Sequence, residues 1–468
     1  MPHALALAVE TATTALAVAG MGYFLASLVA ARVFLRQRRR PRPEFAPGVS
    51  ILKSLKGIDP GMMDAFRSHC RQNYAGEYEL LFGVASREDA AAAAVEQLLA
   101  EFPERVIRLV ECPEKLGTNG KVSTLVQLEK HARYEFLLIN DSDITVGPRY
   151  LERVMSHFAS ATGLSGAKAP GGSQVAASGT AEGAAEKSLI RDQISQNRAS
   201  GPENHFDSAS FMRRLKPPPT SEISSSAGCE AATPETRDGE NGVGLVTALY
   251  RGKAHGTLPS RLEALGIATE FQAGVLLSKM IEGGLHYGLG STLAVRREAL
   301  NKAGGLLPLV DHLADDYELG ARVARAGYGV ELSAEVVETG VPAYAWRGFF
   351  DHQLRWLRTV RDARPAGYAG LIFTHGLAWA LLNVLASGLS GLSLWLVGLS
   401  FFLRLAQAMT VGAAVLGDHD VLPNLWLLPL RDAIAMGLWV AGFAGDTIVW
   451  RGERFVLKDG KLGKMQRC

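Results

Sequence analysis

Tyr134-Glu-Phe-Leu-Leu-Ile-Asn-Asp141-Ser-Asp143-Ile-Thr145 decides how this chain is read. A short apolar run ends in two aspartates one residue apart. Successive side chains of a strand alternate faces, so residues i and i+2 point the same way. The spacing therefore predicts that Asp141 and Asp143 present two carboxylates together where a strand leaves a sheet. In open α/β sheets ligands bind beyond the carboxyl ends of the strands, and paired carboxylates suit a divalent cation that carries phosphates. D-x-D is also common in surface loops, so the pair gains its meaning from what surrounds it.

On the N-terminal side, apolar runs alternate with helical stretches. Strands are expected at Val49–Lys53, Glu79–Val84, Val106–Val110 and Phe136–Asn140, and helices at Met62–Cys70, Ala90–Phe102 and Val122–Ala132. Such alternation implies a parallel sheet covered by helices on both faces. On the C-terminal side the pattern breaks. Residues 165–242 are rich in Ala, Ser, Gly, Glu and Pro, with Phe206 and Phe211 their only aromatics. That composition buries too little apolar surface to offset chain entropy, so a disordered insertion is expected, with a transient helix at Ser188–Asn197. Strand character resumes at Gly244–Tyr250.

The 468 residues carry a net charge of +2, which gives no electrostatic case for nucleic acid. The charges are segregated instead. Thr11–Ala31 is uncharged, and Arg32, Arg36, Arg38, Arg39, Arg40 and Arg42 follow it. A helix of that length spans a hydrocarbon core of roughly 30 Å. The positive flank places the N-terminus outside and the following domain in the cytosol. Leu371–Leu403 and Leu405–Gly417 also lack acidic and basic residues, and the Ser387–Gly391 stretch of small residues predicts a break between two membrane helices. Leu422–Trp450 is apolar but interrupted by Arg431, Asp432 and Asp446, so it is read either as an interfacial or re-entrant segment or as a third membrane segment, before a basic tail. The cysteines Cys70, Cys112, Cys229 and Cys468 have no ligand-like spacing, and reduced thiols are expected.

Four clusters add chemistry. Leu52-Lys53-Ser-Leu55-Lys56-Gly57-Ile-Asp59-Pro60 follows the first strand, where a nucleotide base would dock. Lys115-Leu-Gly117-Thr-Asn119-Gly-Lys121 opens a helix with backbone N–H groups and a lysine suited to phosphate. Ala314-Asp315-Asp316-Tyr317-Glu318 begins another helix, where carboxylates either cap the positive dipole end or do chemistry. His352-Gln353-Leu354-Arg355-Trp356 precedes the membrane hairpin, where an Arg-Trp pair also serves as an interfacial anchor.

In this order, together with Gly244–Gly252 and Gly288–Arg297, the clusters resemble the membrane-bound inverting GT-A glycosyltransferases of the ceramide glucosyltransferase-like family (families 2 and 21), closest to its bacterial branch in hopanoid biosynthesis. The resemblance implies an α/β fold: a GT-A, Rossmann-like nucleotide-diphospho-sugar transferase domain with transmembrane helices at both ends. Its parts would be an anchor over residues 1–36, a nucleotide-sugar half over 44–164, the insertion over 165–242, an acceptor and catalytic half over 243–366, and a membrane hairpin, third segment and tail over 367–468. It implies Mg²⁺ or Mn²⁺ on Asp143 and Asp141, and Asp316 as catalytic base. Substrate contacts would come from Lys56, Asp89 (with Glu88 the competing match), Asn119, Lys121, Asp141, His352, Arg355 and Trp356. His352 stands where the (Q/R)-x-x-R-W signature has Gln or Arg, which argues against a processive polysaccharide synthase.

The implied reaction moves a sugar from a UDP-sugar donor to a hydroxyl of a membrane lipid acceptor in the lipid bilayer. The expected pairing is N-acetylglucosamine with a hopanoid polyol such as bacteriohopanetetrol. Glucosylation of ceramide is the first alternative, then polysaccharide synthesis, then non-enzymatic sugar-nucleotide binding. The expected location is a multi-pass protein of the bacterial inner membrane with its catalytic domain cytoplasmic.

Overall fold

A computed structural model describes residues 3–161, 241–450 and 453–464. The insertion expected over residues 165–242, apart from its last two residues, and the helix at Ser188–Asn197 lie outside the described residues.

Helix α1 (His3–Arg38) leads into β1 (Val49–Ser54), α2 (Met62–Cys70), β2 (Tyr78–Val84), α3 (Ala90–Glu101), β3 (Val106–Glu111), α4 (Gly120–Glu129), β4 (Phe136–Ile139) and α5 (Tyr150–Met155). Next come β5 (Val243–Ala254), α6 (Leu258–Gly266), a π-helical turn (Ile267–Phe271), α7 (Gln272–Ile281), β6 (Leu293–Arg296), α8 (Arg297–Lys302), α9 (Asp315–Arg325) and β7 (Gly329–Val341). The last part holds α10 (Trp346–Ala363), α11 (Pro365–Gly370), α12 (Gly376–Ser387), α13 (Gly391–Ala408), α14 (Leu428–Gly442), β8 (Thr447–Trp450), β9 (Glu453–Lys458) and β10 (Lys461–Lys464).

Seven strands form one sheet in the order β3-β2-β1-β4-β6-β5-β7. Every neighbouring pair is parallel except those that β6 makes with β4 and β5. This is the mixed α/β sheet expected of a GT-A domain. Alternation along the strands builds two cores. Phe136 and Leu138 of β4 join Val49, Ile51, Phe66 and Phe82 on one face. Leu137 and Ile139 join Leu52, Val122, Leu125 and Leu293 on the other. The second core continues into α1 through Ala30, Ala31 and Phe34, so the apolar N-terminal helix and the sheet share one packed interior.

The membrane segments pack through small and polar residues. A Cβ on Gly20 would stand 2.2 Å from the Gly376 Cα, so only glycine lets α1 and α12 approach so closely. Asn383 donates to the Glu10 carbonyl and to the hydroxyls of Thr13 and Thr14. Among the described residues three helices are long and apolar enough to cross a membrane: Ala4–Arg38, Gly391–Val415 and His419–Gly442. The pair Pro365–Thr374 and Gly376–Ser387, bent by 59°, is a further candidate. The break expected between α12 and α13 falls at Gly388, which has φ 71°.

Both ends of the third candidate are held by the sheet domain and α10. Before it, the Gly417 carbonyl accepts from Arg251 of β5. After it, Arg361 of α10 donates to the Gly442 carbonyl. The segment is thus bonded at its start to the sheet domain and at its end to α10. The basic tail carries structure that the sequence reading did not assign: β8, β9 and β10 form a three-stranded antiparallel sheet. Its Ile448, Phe455 and Leu462 are buried against Leu313 and Trp450. Asp459 and Gly460 turn the hairpin with φ 52° and 75°, the Asp-Gly signature of a tight β-turn.

Arg404 and Asp432 are almost fully buried, 2% and 7% exposed, and pair at 2.9 Å between α13 and α14. Arg404 also donates to Thr269 in the π-helical turn. Removing one member of a buried pair strands the other charge. Arg404→Met should therefore destabilise the solubilised protein by about 3–5 kcal/mol. Arg404→Met with Asp432→Leu should recover much of that loss in a thermal unfolding series.

Candidate active site

The strand carrying the opening motif stops at Ile139, so strand alternation does not orient Asp141 and Asp143. They sit on a turn fixed from below by Asn140. Its amide donates to the Tyr150 hydroxyl and the Ser291 carbonyl, and its oxygen lies 3.2 Å from His69 Nε2. Above it, Ser142 donates to Asp59 at 2.6 Å. Asp143 Oδ2 accepts from the Thr339 hydroxyl at 2.5 Å and the Gly340 N–H at 3.1 Å, so the end of β7 holds this carboxylate. Burial and the neighbouring Asp141 push its carboxyl above the usual range.

Asp141 is held from two sides. Lys121 Nζ lies 2.7 Å from Asp141 Oδ1 and 3.2 Å from Asp315 Oδ2. Burial works against the lysine charge, but Asp141, Asp315 and Asp316 outweigh it and hold Lys121 well above the ordinary lysine range. Lys121 is thus committed to carboxylates. Lys53, on β1 and only 1% exposed, donates to the Asp141 carbonyl at 3.0 Å. Its burial lowers the ammonium to about 7, against the pull of Asp143 and Asp141.

The acidic turn of α9 does not cap its own helix, since the N-cap Ala314 makes no side-chain cap bond. Asp315 instead meets Lys121 and the Asn119 amide. Asp316 Oδ2 accepts from the Gly290 N–H at 2.7 Å. A Cβ on Gly290 would lie 3.1 Å from Asp316 Oδ2 and 3.4 Å from Asp141 Oδ2. The carboxylates predicted on sequence positions 175 residues apart therefore border one small space. Burial and Asp315 push the Asp316 carboxyl up to about 6, opposed by Lys121.

The other predicted residues divide. Asn119 is fully buried and its amide is spent: the oxygen caps α4 through Val122 N–H, and the nitrogen donates to the His312 carbonyl. It positions the loop, a correction to the expected substrate contact. Asp89 caps α3 and accepts from the Gly57 N–H at 2.8 Å, tying the loop after β1 to that helix. Lys56 is exposed on that loop. His352 and Trp356 lie on α10 with ring centroids 5.3 Å apart, and Trp356 faces Phe271 at 5.8 Å. Tyr344, three residues past β7, stacks on His352 with ring centroids 5.5 Å apart, so α10 lies against the end of the strand that holds Asp143.

Lys53, Thr339, Gly290 and Glu263 were not selected from sequence. Lys53 had a readable signal, a lysine inside the apolar run of a strand. Thr339 and Glu263 had none, because only the fold brings them to the site.

The sequence model of Glycosyl transferase family 21 matches residues 12–182 and 236–462. The chain is 22% identical to Ceramide glucosyltransferase 3 of Caenorhabditis elegans over 425 residues, covering 88% of this chain and 73% of the relative. Ceramide glucosyltransferase of Komagataella phaffii is 30% identical over 124 residues, covering 26% of this chain and 24% of the relative. Among solved structures, a mannosyltransferase from Pyrobaculum calidifontis in complex with GDP-Man and Mn²⁺ has 17% identity and a TM-score of 0.46, covering 93% of this chain and 97% of its own.

A Cβ on Gly320 would stand 2.1 Å from the Gly288 backbone nitrogen, so α9 seats against the segment that presents Gly290 to Asp316. Gly320→Ala should cost about 1–3 kcal/mol of stability through overpacking and should abolish turnover, as read by thermal unfolding and product formation.

Proposed function

The chain belongs to glycosyl transferase family 21, and on that premise we propose that it moves a sugar from a UDP-sugar to a hydroxyl of a membrane lipid with inversion at the anomeric carbon. The observation that carries this reading is the convergence of Asp141 and Asp316 on either side of Gly290, in a domain whose core is continuous with its membrane anchor. A donor pocket meets a base there, and a lipid hydroxyl can arrive without its tail leaving the bilayer.

Asp143 and Asp141 would hold Mg²⁺ or Mn²⁺. Their oxygens are the hard donors such ions take, and a cation completed by substrate phosphates needs only one or two protein carboxylates. No cluster of three or more His, Cys, Asp or Glu suited to a metal occurs among the described residues. When bound, the cation supplies positive charge against the leaving diphosphate.

Asp316 takes the acceptor proton. Its carboxyl, raised to about 6, is ionised near neutrality yet basic enough to share a proton in the transition state. The Gly290 N–H fixes one oxygen, leaving the other for the incoming hydroxyl. A single displacement needs one base and no covalent intermediate. Arg355 offers a permanently charged fork for the diphosphate, and Trp356 a flat apolar face for the acceptor.

N-acetylglucosamine transfer to a hopanoid polyol and glucose transfer to ceramide both fit this chemistry. The second is favoured by the ceramide glucosyltransferase of Caenorhabditis elegans, whose similarity runs through most of both chains. The cytoplasmic face of a bacterial inner membrane is the matching location, with the arginines after α1 on the cytosolic side.

Membranes holding the protein, given labelled UDP-glucose or UDP-N-acetylglucosamine with ceramide or a hopanoid polyol, should yield chloroform-extractable label that a chelator removes. Absence of any lipid product with every combination would sink the reading. Asp316→Asn should lower turnover by about 10²–10⁴-fold, the usual worth of a general base. Because the base must be ionised, wild-type turnover should rise with pH through about 6 and level off above it.

A further inference from the structure

An unbroken series of rings borders the carboxylates. Tyr250 meets Phe271 at 5.7 Å, Phe271 meets Trp356 at 5.8 Å, Trp356 meets His352 at 5.3 Å, and His352 stacks on Tyr344 at 5.5 Å with planes 29° apart. Tyr250 lies opposite Val337 on β7, two residues before Thr339, and Tyr344 follows the end of that strand by three residues, so both ends of the arc adjoin the strand that holds Asp143. Only His352 in this series is anchored by a carboxylate. Its Nδ1 lies 3.0 Å and 3.1 Å from the two oxygens of Glu263 on α6. Glu263 is 3% exposed, whereas the His352 side chain keeps 19% exposure. A carboxylate only accepts, so Nδ1 carries the proton, and in the neutral ring Nε2 is an acceptor. The buried carboxylate occupies the Nδ1 edge, and Nε2 has no hydrogen-bond partner among the described residues.

We propose that Glu263 is a positioning residue for the acceptor: it orients His352 so that the aromatic arc is held and Nε2 receives a hydrogen bond from a hydroxyl of the lipid head group. The inference rests on the lipid-hydroxyl reading above. It also gives a reason for histidine where the related signature has Gln or Arg. An arginine only donates, and a glutamine has no ring to join the stack.

The test uses the full chain in membranes with labelled UDP-sugar and either ceramide or a hopanoid polyol as probe. Glu263→Gln should raise the apparent KM for the lipid alcohol about tenfold, the worth of one hydrogen bond of about 1.4 kcal/mol. The KM for UDP-sugar and the slow release of UDP to water should be unchanged, and this hydrolysis also reports an intact fold. His352→Gln should reproduce the effect, and the double variant should be no worse than either single, as expected of two residues acting as one unit. Parallel loss of hydrolysis and transfer, loss of fold, additive effects or an unchanged acceptor KM would each overturn the proposal. Wild-type membranes that make no lipid-soluble product would remove the lipid-hydroxyl reading and the dyad with it. Wild-type product beside unaffected variants would remove the dyad alone.

Discussion

Like charges do not gather unaided, and the site is built around that constraint. Asp141, Asp143, Asp315 and Asp316 converge where β1, β4 and β7 end and α9 begins. Two carboxylates about 4 Å apart repel by roughly 4 kcal/mol at the effective dielectric of a protein surface. Lys121 bridges two of the four, and Lys53 is buried beneath the same turn on the Asp141 carbonyl. Further donors to these carboxylates are Thr339 and the Gly340 N–H on Asp143, the Gly290 N–H on Asp316 and the Asn119 amide on Asp315. The rest of the fold supplies these partners. The antiparallel β6 brings the Gly288–Thr292 turn to the end of β4, and β7 carries Thr339 alongside the D-x-D turn.

The membrane portion follows the same physics with fewer charges. Where backbones touch, glycine is used, as at Gly20 and Gly376. Where ionisable groups are buried, they are paired, as at Arg404 and Asp432. Arg431 lies against the Gly266 backbone at the end of α6 and reaches Glu270 at 2.9 Å. The helices are thus joined to the π-helical turn that supplies Phe271 to the aromatic arc, so the apolar helices and the carboxylate site meet in one contiguous set of contacts.

Much of this was readable beforehand. Short apolar runs between helical stretches marked β1 to β4 to within a residue at each end, because strands of a sheet covered on both faces are apolar nearly throughout. The uncharged runs announced the helices around Gly388, and the pair Asp315-Asp316 announced the acidic turn of α9. What failed were inferences that needed a partner distant in sequence. Asn119 looked like a ligand contact, yet its amide closes a loop against His312. Lys56 lies exposed on the loop after β1, while Lys53, three residues earlier, is the lysine whose ammonium meets the D-x-D turn. The strands of the basic tail were not legible because its charges masked the buried Phe455, Leu457 and Leu462. The residues around 162–240 lie outside the described structure.

That C-terminal hairpin bears on the order of events during synthesis. Its turn grips both halves of the site: Gly460 accepts from the Leu313 N–H and donates its own N–H to Asp362 of α10, while the Leu462 N–H donates to the Asp311 carbonyl. Asp311 in turn receives the Thr118 N–H in the loop that carries Lys121. The loop leading to Asp316 therefore gains its last restraints from residues that leave the ribosome only after every hydrophobic helix has been made. A nascent chain would reach the bilayer before its catalytic apparatus is braced, so lodging in the membrane comes first and competence second.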